Sequence, residues 1–192
     1  MKKSKKNYFI MILIGLTLLF VIEKMIQSPK TEESITYFPI DTTSPFKAVN
    51  TSISLLNKNK SNQFSIQWRV SSNLLKNTYL RQDIGLLYAN GRLKGKMGKW
   101  KQNTNQLVQE DTINGKGSLY LDAITYHYAE IHYQDDSIMS SQDMSKDEIY
   151  IIDSSYGPLR TFRIPSSKEE ADWKKVLDQA TAQELKNSWG KA

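Results

Sequence analysis

The sequence predicts an α+β protein in which a single N-terminal transmembrane helix precedes an antiparallel β-rich domain with one C-terminal helix packed on the sheet. Three observations predict this class. They are an uncharged apolar run near the N-terminus, two-residue alternation of apolar side chains from residue 64 onward, and an apolar helical stripe after residue 167. A length of 192 residues leaves room for one folded domain with appendages.

Residues 8–26 are the predicted transmembrane anchor. Tyr8 to Ile22 contains no charge and no proline, and a 19-residue helix over 8–26 nearly matches a hydrocarbon core of about 30 Å. Four lysines and no acidic residue precede the run: Lys2, Lys3, Lys5 and Lys6. This asymmetry predicts a basic cytoplasmic tail at 1–7 and an extracytoplasmic C-terminal part. No pair of small residues follows the run, so we expect the anchor to stay uncleaved; a cleaved secretory signal is the alternative.

Residues 27–62 are predicted to be a polar tether, and residues 63–192 the extracytoplasmic domain. The tether stretch is rich in Ser, Thr, Asn and Lys, and it has prolines at positions 29, 39 and 45. Such a composition disfavours regular structure. Ile53, Leu55 and Leu56 are its candidates for a short ordered piece.

Period-two alternation predicts a series of short strands in the domain. They cover residues 64–70, 83–89, 92–101, 105–113, 118–133, 148–153 and 159–164. Asn90-Gly91 predicts a tight hairpin turn, because both central residues of such a turn need positive φ. A second turn is predicted at 114–117. Both faces of the strand at 118–133 are rather apolar, so we expect cover on both sides.

The chain is predicted to end in a helix at 167–187. Ser166 and Ser167 each precede a glutamate by three residues, which is the capping-box pattern. The helical stripe predicted to pack on the sheet comprises Trp173, Val176, Leu177 and Ala180, with Trp173 as its largest anchor. Glu170 and Lys174 have the favourable order for an i,i+4 ion pair.

Composition excludes several classes of protein and site. Because the chain has no cysteine, it cannot form disulfides, iron–sulfur clusters, cysteine nucleophiles or cysteine-based zinc sites, and no cofactor is expected.

Charge is segregated along the sequence. Residues 58–101 hold ten basic residues and one acidic residue, a net +9, whereas residues 102–180 hold seven basic and fourteen acidic residues, a net −7.

The densest basic segment follows the predicted hairpin turn and is the candidate for binding an anionic surface. It comprises Arg92, Lys94, Lys96, Lys99, Trp100 and Lys101, called the basic strip below. Each lysine near an anionic surface contributes about 1 kcal/mol to binding. Alternation predicts that Arg92, Lys94 and Lys96 share one face. The alternative interpretation is an edge strand whose lysines prevent aggregation. No nucleic-acid partner is expected, because the segment is predicted to be outside and no RNA-binding motif is present.

Glu130 and His132 are the best candidate acid/base pair, because they share one face of the strand predicted at 118–133. His127 has the opposite parity, so the two histidines are not expected to share a metal ion, and a structural role is expected for them. The sequence has no serine-nucleophile motif and no phosphate loop. The acidic residues between 135 and 148 are predicted to form a solvated loop, with no metal site.

These observations predict a membrane-anchored extracytoplasmic module of the cell envelope, with a binding or accessory role and no catalytic motif. The expected partners are the cell membrane and either an envelope protein or an anionic envelope polymer. The alternative is an envelope polymer hydrolase that uses Glu130 and His132.

Overall fold

The computed structural model describes residues 38–43, 46–58, 63–153 and 158–189, which belong to one compact unit. The predicted cytoplasmic tail at 1–7, the anchor at 8–26 and the tether as far as residue 37 lie outside the described residues. Within the described ranges, no helix combines the length and the apolar character needed to cross a membrane.

Six strands form one antiparallel sheet, and one described helix follows them. The elements are β1 (Ala48–Lys58), β2 (Gln63–Ala89), β3 (Arg92–Lys116), β4 (Leu119–His132), β5 (Ile138–Ile152), β6 (Arg160–Phe162) and α1 (Lys168–Trp189). The strand order is β1-β2-β4-β5-β6, and β3 pairs with β2 outside this path. The predicted antiparallel β-rich domain with a C-terminal helix is therefore confirmed.

β2 and β3 form one long hairpin in place of the four shorter strands predicted at 64–70, 83–89, 92–101 and 105–113. Asn90 and Gly91 form its turn with φ values of 47° and 83°. The pairing shifts between Asn73 and Thr78, where neither apolar alternation nor a turn dipeptide marks the path of the chain. The polar residues of this stretch therefore interrupt the hydrophobic pattern without ending the strand.

The bend at Asn73–Thr78 divides β2 into halves with different neighbours. The first half pairs with β1, whereas residues 80–89 pair with β4. The sheet therefore curls into a half-barrel whose inner face holds the main core. Its buried side chains are Ile53, Phe64, Ile66, Trp68, Val70, Leu87, Leu121, Ala123, Ile149 and Ile151.

β1 lies inside the stretch predicted to be a tether, so the tether prediction is wrong for residues 48–58, although the short ordered piece expected at Ile53, Leu55 and Leu56 does lie on β1. Thr51 and Ile53 are 4% and 1% exposed, which shows that this segment alternates inward and outward like a strand. The apolar alternation of a strand is hard to recognise here because the inward position 51 holds a threonine and because prolines lie nearby. The folded domain accordingly begins before residue 63, and the bridge between Ile40 and Ser140 adds a further contact from this region.

Two side chains satisfy the free backbone groups of β1, and we call them the β1 clamp. Asp147 Oδ2 accepts a hydrogen bond from the Ile53 N–H at 2.7 Å, and Arg163 donates to the Ile53 carbonyl at 2.9 Å. Arg163 also donates to both carboxylate oxygens of Asp147, each at 2.8 Å. The clamp therefore joins β1 to β5 where no strand pairs them.

Glycines let the two halves of the hairpin approach the large core side chains. A Cβ on Gly85 would lie 2.7 Å from Cζ2 of Trp68, and a Cβ on Gly115 would overlap the ring of Phe64. Both aromatic rings are buried. A side chain at either glycine would therefore displace a ring from the core.

β5 begins at Ile138, well before the strand predicted at 148–153. Asp143, Asp147 and Glu148 lie on β5, so the prediction of a solvated loop for them is wrong. Unbroken pairing with β4, from Ile151 to Ile138, holds this part of the chain extended. Because these paired residues are mostly polar, their sequence lacks the apolar alternation that identifies a strand.

α1 packs on the outer face of the sheet at one end. Leu177 is 5% exposed and packs with Tyr150 and Phe162, and Trp173 adds a partly buried ring to the same cluster. Elsewhere the outer face is more open than the inner one, and Tyr126 is 37% exposed. The expected cover on both faces of β4 is therefore wrong for the middle of the strand.

The predicted apolar stripe of the helix is partly wrong. Val176 is 54% exposed and Ala180 is also exposed, so contact with the sheet is made by Trp173 and Leu177. This i,i+4 spacing gives a narrower contact line than the four predicted residues, because the helix touches only the end of the sheet.

The N-terminus of α1 is capped by two serines. Ser167 Oγ accepts the Glu170 N–H at 3.2 Å, and the Glu170 carboxylate accepts the N–H of Ser166 at 2.7 Å and its hydroxyl at 2.8 Å. Of the two predicted capping pairs, Ser167 with Glu170 is confirmed in its serine half, whereas the Glu170 carboxylate binds Ser166 instead of the Ser167 N–H. The predicted Glu170–Lys174 ion pair is wrong, because Lys174 pairs instead with Asp178 at 2.6 Å.

Candidate functional site

The basic strip lies at the start of β3, the outermost strand of the long hairpin. Among the described strands only β2 pairs with β3, so the opposite edge of β3 is open. All six side chains of the strip are exposed, and Trp100 is 62% exposed. These side chains are therefore accessible to a binding partner.

The strip is divided between the two faces of the sheet. Arg92, Lys94 and Lys96 do not share one face, because Lys94 is the extra residue of a bulge that faces Leu87 and Tyr88. That prediction is wrong because a bulge shifts the side-chain alternation by one residue. Beyond the bulge, Lys96 and Trp100 lie on the outer face beside Leu86 and Gln82, and Lys99 and Lys101 lie on the inner side beside Asp83 and Arg81.

Most charges of the strip are available to a partner. Arg92 is engaged, because it donates to Glu184 of α1 at 2.7 Å; this hydrogen bond and the Glu184 charge raise the pKa of Arg92. Lys99 Nζ donates to the Val108 carbonyl at 3.2 Å, which leaves its charge unneutralised. In the part of the chain that the structure describes, no ion pair involves any of the four lysines, Lys94, Lys96, Lys99 and Lys101.

The predicted acid/base pair is brought together beside a cleft of about 550 Å³. The cleft lies at the bend of β2, between residues 74–78 and residues 131–135, and His132 is on its wall. Glu130 Oε1 is 2.5 Å from Nε2 of His132, and the Tyr79 ring stacks on His132 with 4.0 Å between ring centroids. This arrangement places one imidazole–carboxylate pair at the cleft.

A second carboxylate at the cleft is occupied locally. Asp135 accepts hydrogen bonds from the Ser137 hydroxyl at 2.7 Å and from its N–H at 3.2 Å. These bonds lower the pKa of Asp135. Because its lone pairs stabilise the β4–β5 turn, Asp135 is a poor second acid for chemistry in the cleft.

A buried polar network crosses the inner face of the half-barrel, and sequence analysis missed it. Arg81, Asp83 and His127 are each 0% exposed. Ser72 Oγ accepts from Arg81 and donates to Asp83 Oδ2 at 2.6 Å. His127 Nδ1 lies 3.1 Å from Asp83 Oδ1.

The network continues from His127 to β5 and β1. His127 Nε2 is 2.8 Å from Ser145 Oγ, which is 2.6 Å from Thr51 Oγ1. Thr51 in turn donates to Thr125 Oγ1 at 2.7 Å. These contacts join four strands through side chains alone.

The side chains of Asp83, His127 and Ser145 contact one another in the same succession as the Asp, His and Ser of a serine-hydrolase triad. Two observations favour a structural role instead. The imidazole is fully buried, and the Ser145 hydroxyl is held by Thr51 within the sheet interior. In addition, none of Asp83, His127 and Ser145 lines the 550 Å³ cleft. The array therefore holds the half-barrel together rather than presenting a nucleophile.

Phe46 covers the network just before β1. Its ring centroid lies 4.8 Å from Cζ of Arg81 and 6.0 Å from the ring centroid of His127. Burial lowers the pKa of Arg81, and the charge of Asp83 partly opposes this shift. One sequence feature could have identified these inward positions, because Arg81 and Asp83 have the same parity as the buried Leu87.

No metal centre is found among the residues that the structure describes: no three His, Asp or Glu side chains are grouped so that they could hold an ion.

The comparisons with known proteins identify no family. No protein-family model and no curated protein sequence matches the chain. The solution structure of AT1g01470 from Arabidopsis thaliana is similar over 66% of this chain and 92% of that chain, with 12% identity and a TM-score of 0.35. A similarity of this size carries no argument about fold or function.

Proposed function

We propose that this protein is a membrane-anchored extracytoplasmic module of the cell envelope that binds an anionic partner through the basic strip. One observation carries the proposal: four exposed lysines lie between residues 94 and 101 of one open strand, on both of its faces, and none has an acidic partner among the described residues. Charges arranged in this way attract anionic surfaces and raise the rate of association with them.

The proposed anchor is the segment at 8–26, with the N-terminus in the cytoplasm and the β-rich domain outside. Its support is the sequence, in which four lysines precede an uncharged apolar run. In this arrangement the cell membrane is one partner, and an envelope protein or an anionic envelope polymer is the other.

Reporter fusions test the topology. Alkaline phosphatase, which is active only outside the cytoplasm, is fused after Ala192, and a fluorescent protein that matures only in the cytoplasm is fused at the same position. We expect an active phosphatase and no fluorescence. The opposite pattern would contradict the extracytoplasmic placement and every partner that depends on it.

Charge removal tests the binding surface. In one variant the four lysines of the strip are replaced by glutamine: Lys94, Lys96, Lys99 and Lys101. In the matched control four exposed lysines outside β3 are replaced: Lys47, Lys168, Lys175 and Lys186. Binding of the full chain to anionic envelope preparations should fall at least tenfold for the first variant and less than threefold for the second. Equal losses would show that net charge, and not the strip, determines binding.

The second candidate function is hydrolysis of an envelope polymer, and the contact between Glu130 and His132 at the cleft favours it. The test is release of soluble fragments from envelope polymer by the purified full chain, compared with the Glu130→Gln and His132→Ala variants. Hydrolysis that both variants lose would support this function. No hydrolysis by the parent chain, or equal hydrolysis by the variants, would eliminate it.

A further inference from the structure

The outer face of the sheet carries a partly exposed platform beside the basic strip. Strand register places three cross-strand rows there: Trp100, Gln82, Tyr128 and Gln142; Gly98, Ile84, Tyr126 and Met144; Lys96, Leu86, Ile124 and Lys146. We call these rows the outer-face platform. Trp100 and Met144 are each 62% exposed, Ile84 is 41% exposed and Tyr126 is 37% exposed. Among the described elements, α1 packs at Tyr120 and Tyr150 and does not reach these rows.

A gap lies at the β3 end of the platform's middle row. Gly98 has no side chain, and no atom lies within 4 Å of the position that its Cβ would take. Trp100 and Lys96 flank this gap at the positions two residues away on the same face. The gap therefore leaves room beside the exposed ring of Trp100.

Polar and charged groups of the platform complement an anionic ligand with many hydroxyl groups. Its only ionisable groups with charge at neutral pH are Lys96 and Lys146, and Lys99 and Lys101 lie at the adjacent edge. Asp122 and Glu148 form the next row on one side, and Glu130 lies beyond the other. The Gln142 amide nitrogen donates to Ser140 Oγ at 3.0 Å, which leaves the Gln142 carbonyl oxygen as an acceptor for a ligand.

We propose that the outer-face platform binds an anionic glycan of the cell envelope; this inference rests on the proposed extracytoplasmic function. A sugar ring stacks on the exposed face of Trp100, and the sugar hydroxyls hydrogen-bond with Gln82 and Gln142. The anionic substituents pair with Lys96 and the neighbouring lysines of the strip.

The composition of the platform favours a glycan over a bilayer surface. A bilayer-binding surface presents a broad apolar face that sinks into the headgroup region. Here the row Trp100, Gln82, Tyr128 and Gln142 alternates aromatic rings with amides, and the gap at Gly98 leaves room for a sugar ring beside Trp100.

The test uses the full chain in phosphatidylcholine nanodiscs and four probes. They are polygalacturonate oligosaccharides (anionic sugar chains), dextran (a neutral sugar chain), inorganic polyphosphate (an anion without sugar) and phosphatidylglycerol vesicles. We expect polygalacturonate to bind at least tenfold more tightly than each of the other three, as measured by calorimetry and by quenching of tryptophan fluorescence.

Variants identify the groups responsible. Trp100→Ala and Gly98→Glu should each weaken polygalacturonate binding at least tenfold, whereas Trp100→Phe should retain most of it. The control is Leu75→Ala, which removes a side chain that is 75% exposed and lies off the platform. It should change the affinity less than twofold.

Three outcomes would overturn the inference. If Trp100→Ala binds polygalacturonate like the parent, or if polyphosphate binds equally well, the strip alone recognises anions; the proposed function then stands and the glycan site does not. If phosphatidylglycerol vesicles bind most tightly and Trp100 is required, the platform is a bilayer surface. If no anionic probe binds, both the proposed function and this inference fail.

Discussion

Single residues of the β1 clamp make the domain sensitive to acid. Burial raises the pKa of Asp147, but hydrogen bonds from Arg163 and from the Ile53 N–H, together with the Arg163 charge, outweigh burial and leave the pKa below its usual value. Arg163 has a raised pKa because it donates to Asp147. The carboxylate is therefore more stable in the folded chain than in the unfolded chain.

Asp147 should contribute stability that depends on pH. Its contribution is fully present above the unfolded carboxyl pKa of about 4, and it is lost as the pH falls through the lower pKa of the folded state. We expect Asp147→Asn to lower the free energy of unfolding near neutral pH and to weaken its decline below about pH 4. Urea unfolding over this range checks the prediction. Asp143→Asn, an exposed change on the same strand, is the control; an equal effect from both variants would contradict the role of the clamp.

Replacing glycine by alanine should destabilise the domain at the tightly packed Gly115 and have little effect at the open Gly98. Gly115→Ala forces the buried ring of Phe64 to move, so we expect a loss of about 1–3 kcal/mol in the free energy of unfolding. Gly98→Ala meets no atom within 4 Å, so its effect should stay within about 0.5 kcal/mol. Chemical denaturation of both variants measures the difference. A tolerated Gly115→Ala would show that the core is less tightly packed there.

At the scale of elements, sequence analysis was correct for the strands, turns and helix ends that apolar alternation and turn-forming or capping residues mark. It identified the Asn90-Gly91 turn, most of β4 and the helix start. It could not show that β2 and β3 are continuous, because Asn73 to Thr78 follows no apolar pattern. The strip was identified by its charge, but the bulge at Lys94 divided it between two faces.

Buried ionisable residues explain the rest of what sequence analysis missed. Arg81, Asp83 and His127 point inward, where alternation predicts apolar side chains. Arg81 and Asp83 contact Ser72 from the other half of β2, and Asp83 contacts His127 of β4. Whether a buried charged side chain finds a partner depends on tertiary contacts, which cannot be read from the sequence of a single strand. Glu130 and His132 were predictable as a pair because they are two residues apart on one strand.

The packing of α1 on the sheet should depend on the contacts of Trp173 and Leu177. Leu177→Ala removes a side chain that is 5% exposed against Tyr150 and Phe162, so we expect a loss of about 2–5 kcal/mol in the free energy of unfolding. Val176→Ala, one residue away but 54% exposed, should change it by no more than about 0.5 kcal/mol. Far-ultraviolet circular dichroism during urea unfolding measures both. Similar losses would mean that the helix packs through the wider stripe that its sequence predicts.

At the scale of the whole molecule, β3 presents a long open edge whose lysines oppose pairing with another chain. The glutamine variant of the four strip lysines should therefore self-associate more strongly than the parent chain, because the edge loses its mutual repulsion. Sedimentation velocity at several concentrations measures this. The control is the variant with lysines replaced at 47, 168, 175 and 186, none of which lies on β3. An unchanged association state in the strip variant would mean that the lysines serve binding alone.

Phe46 stands where the chain enters the half-barrel, with its ring over Arg81 and His127. Tension applied from the N-terminal side therefore reaches the bridge between Ile40 and Ser140 first, then this ring, and only then the ladder between β1 and β2. If the ring is drawn away, water gains access to three ionisable groups that are otherwise sealed from solvent. Once that bridge breaks, the interior would thus become hydrated before any strand of the sheet is pulled out.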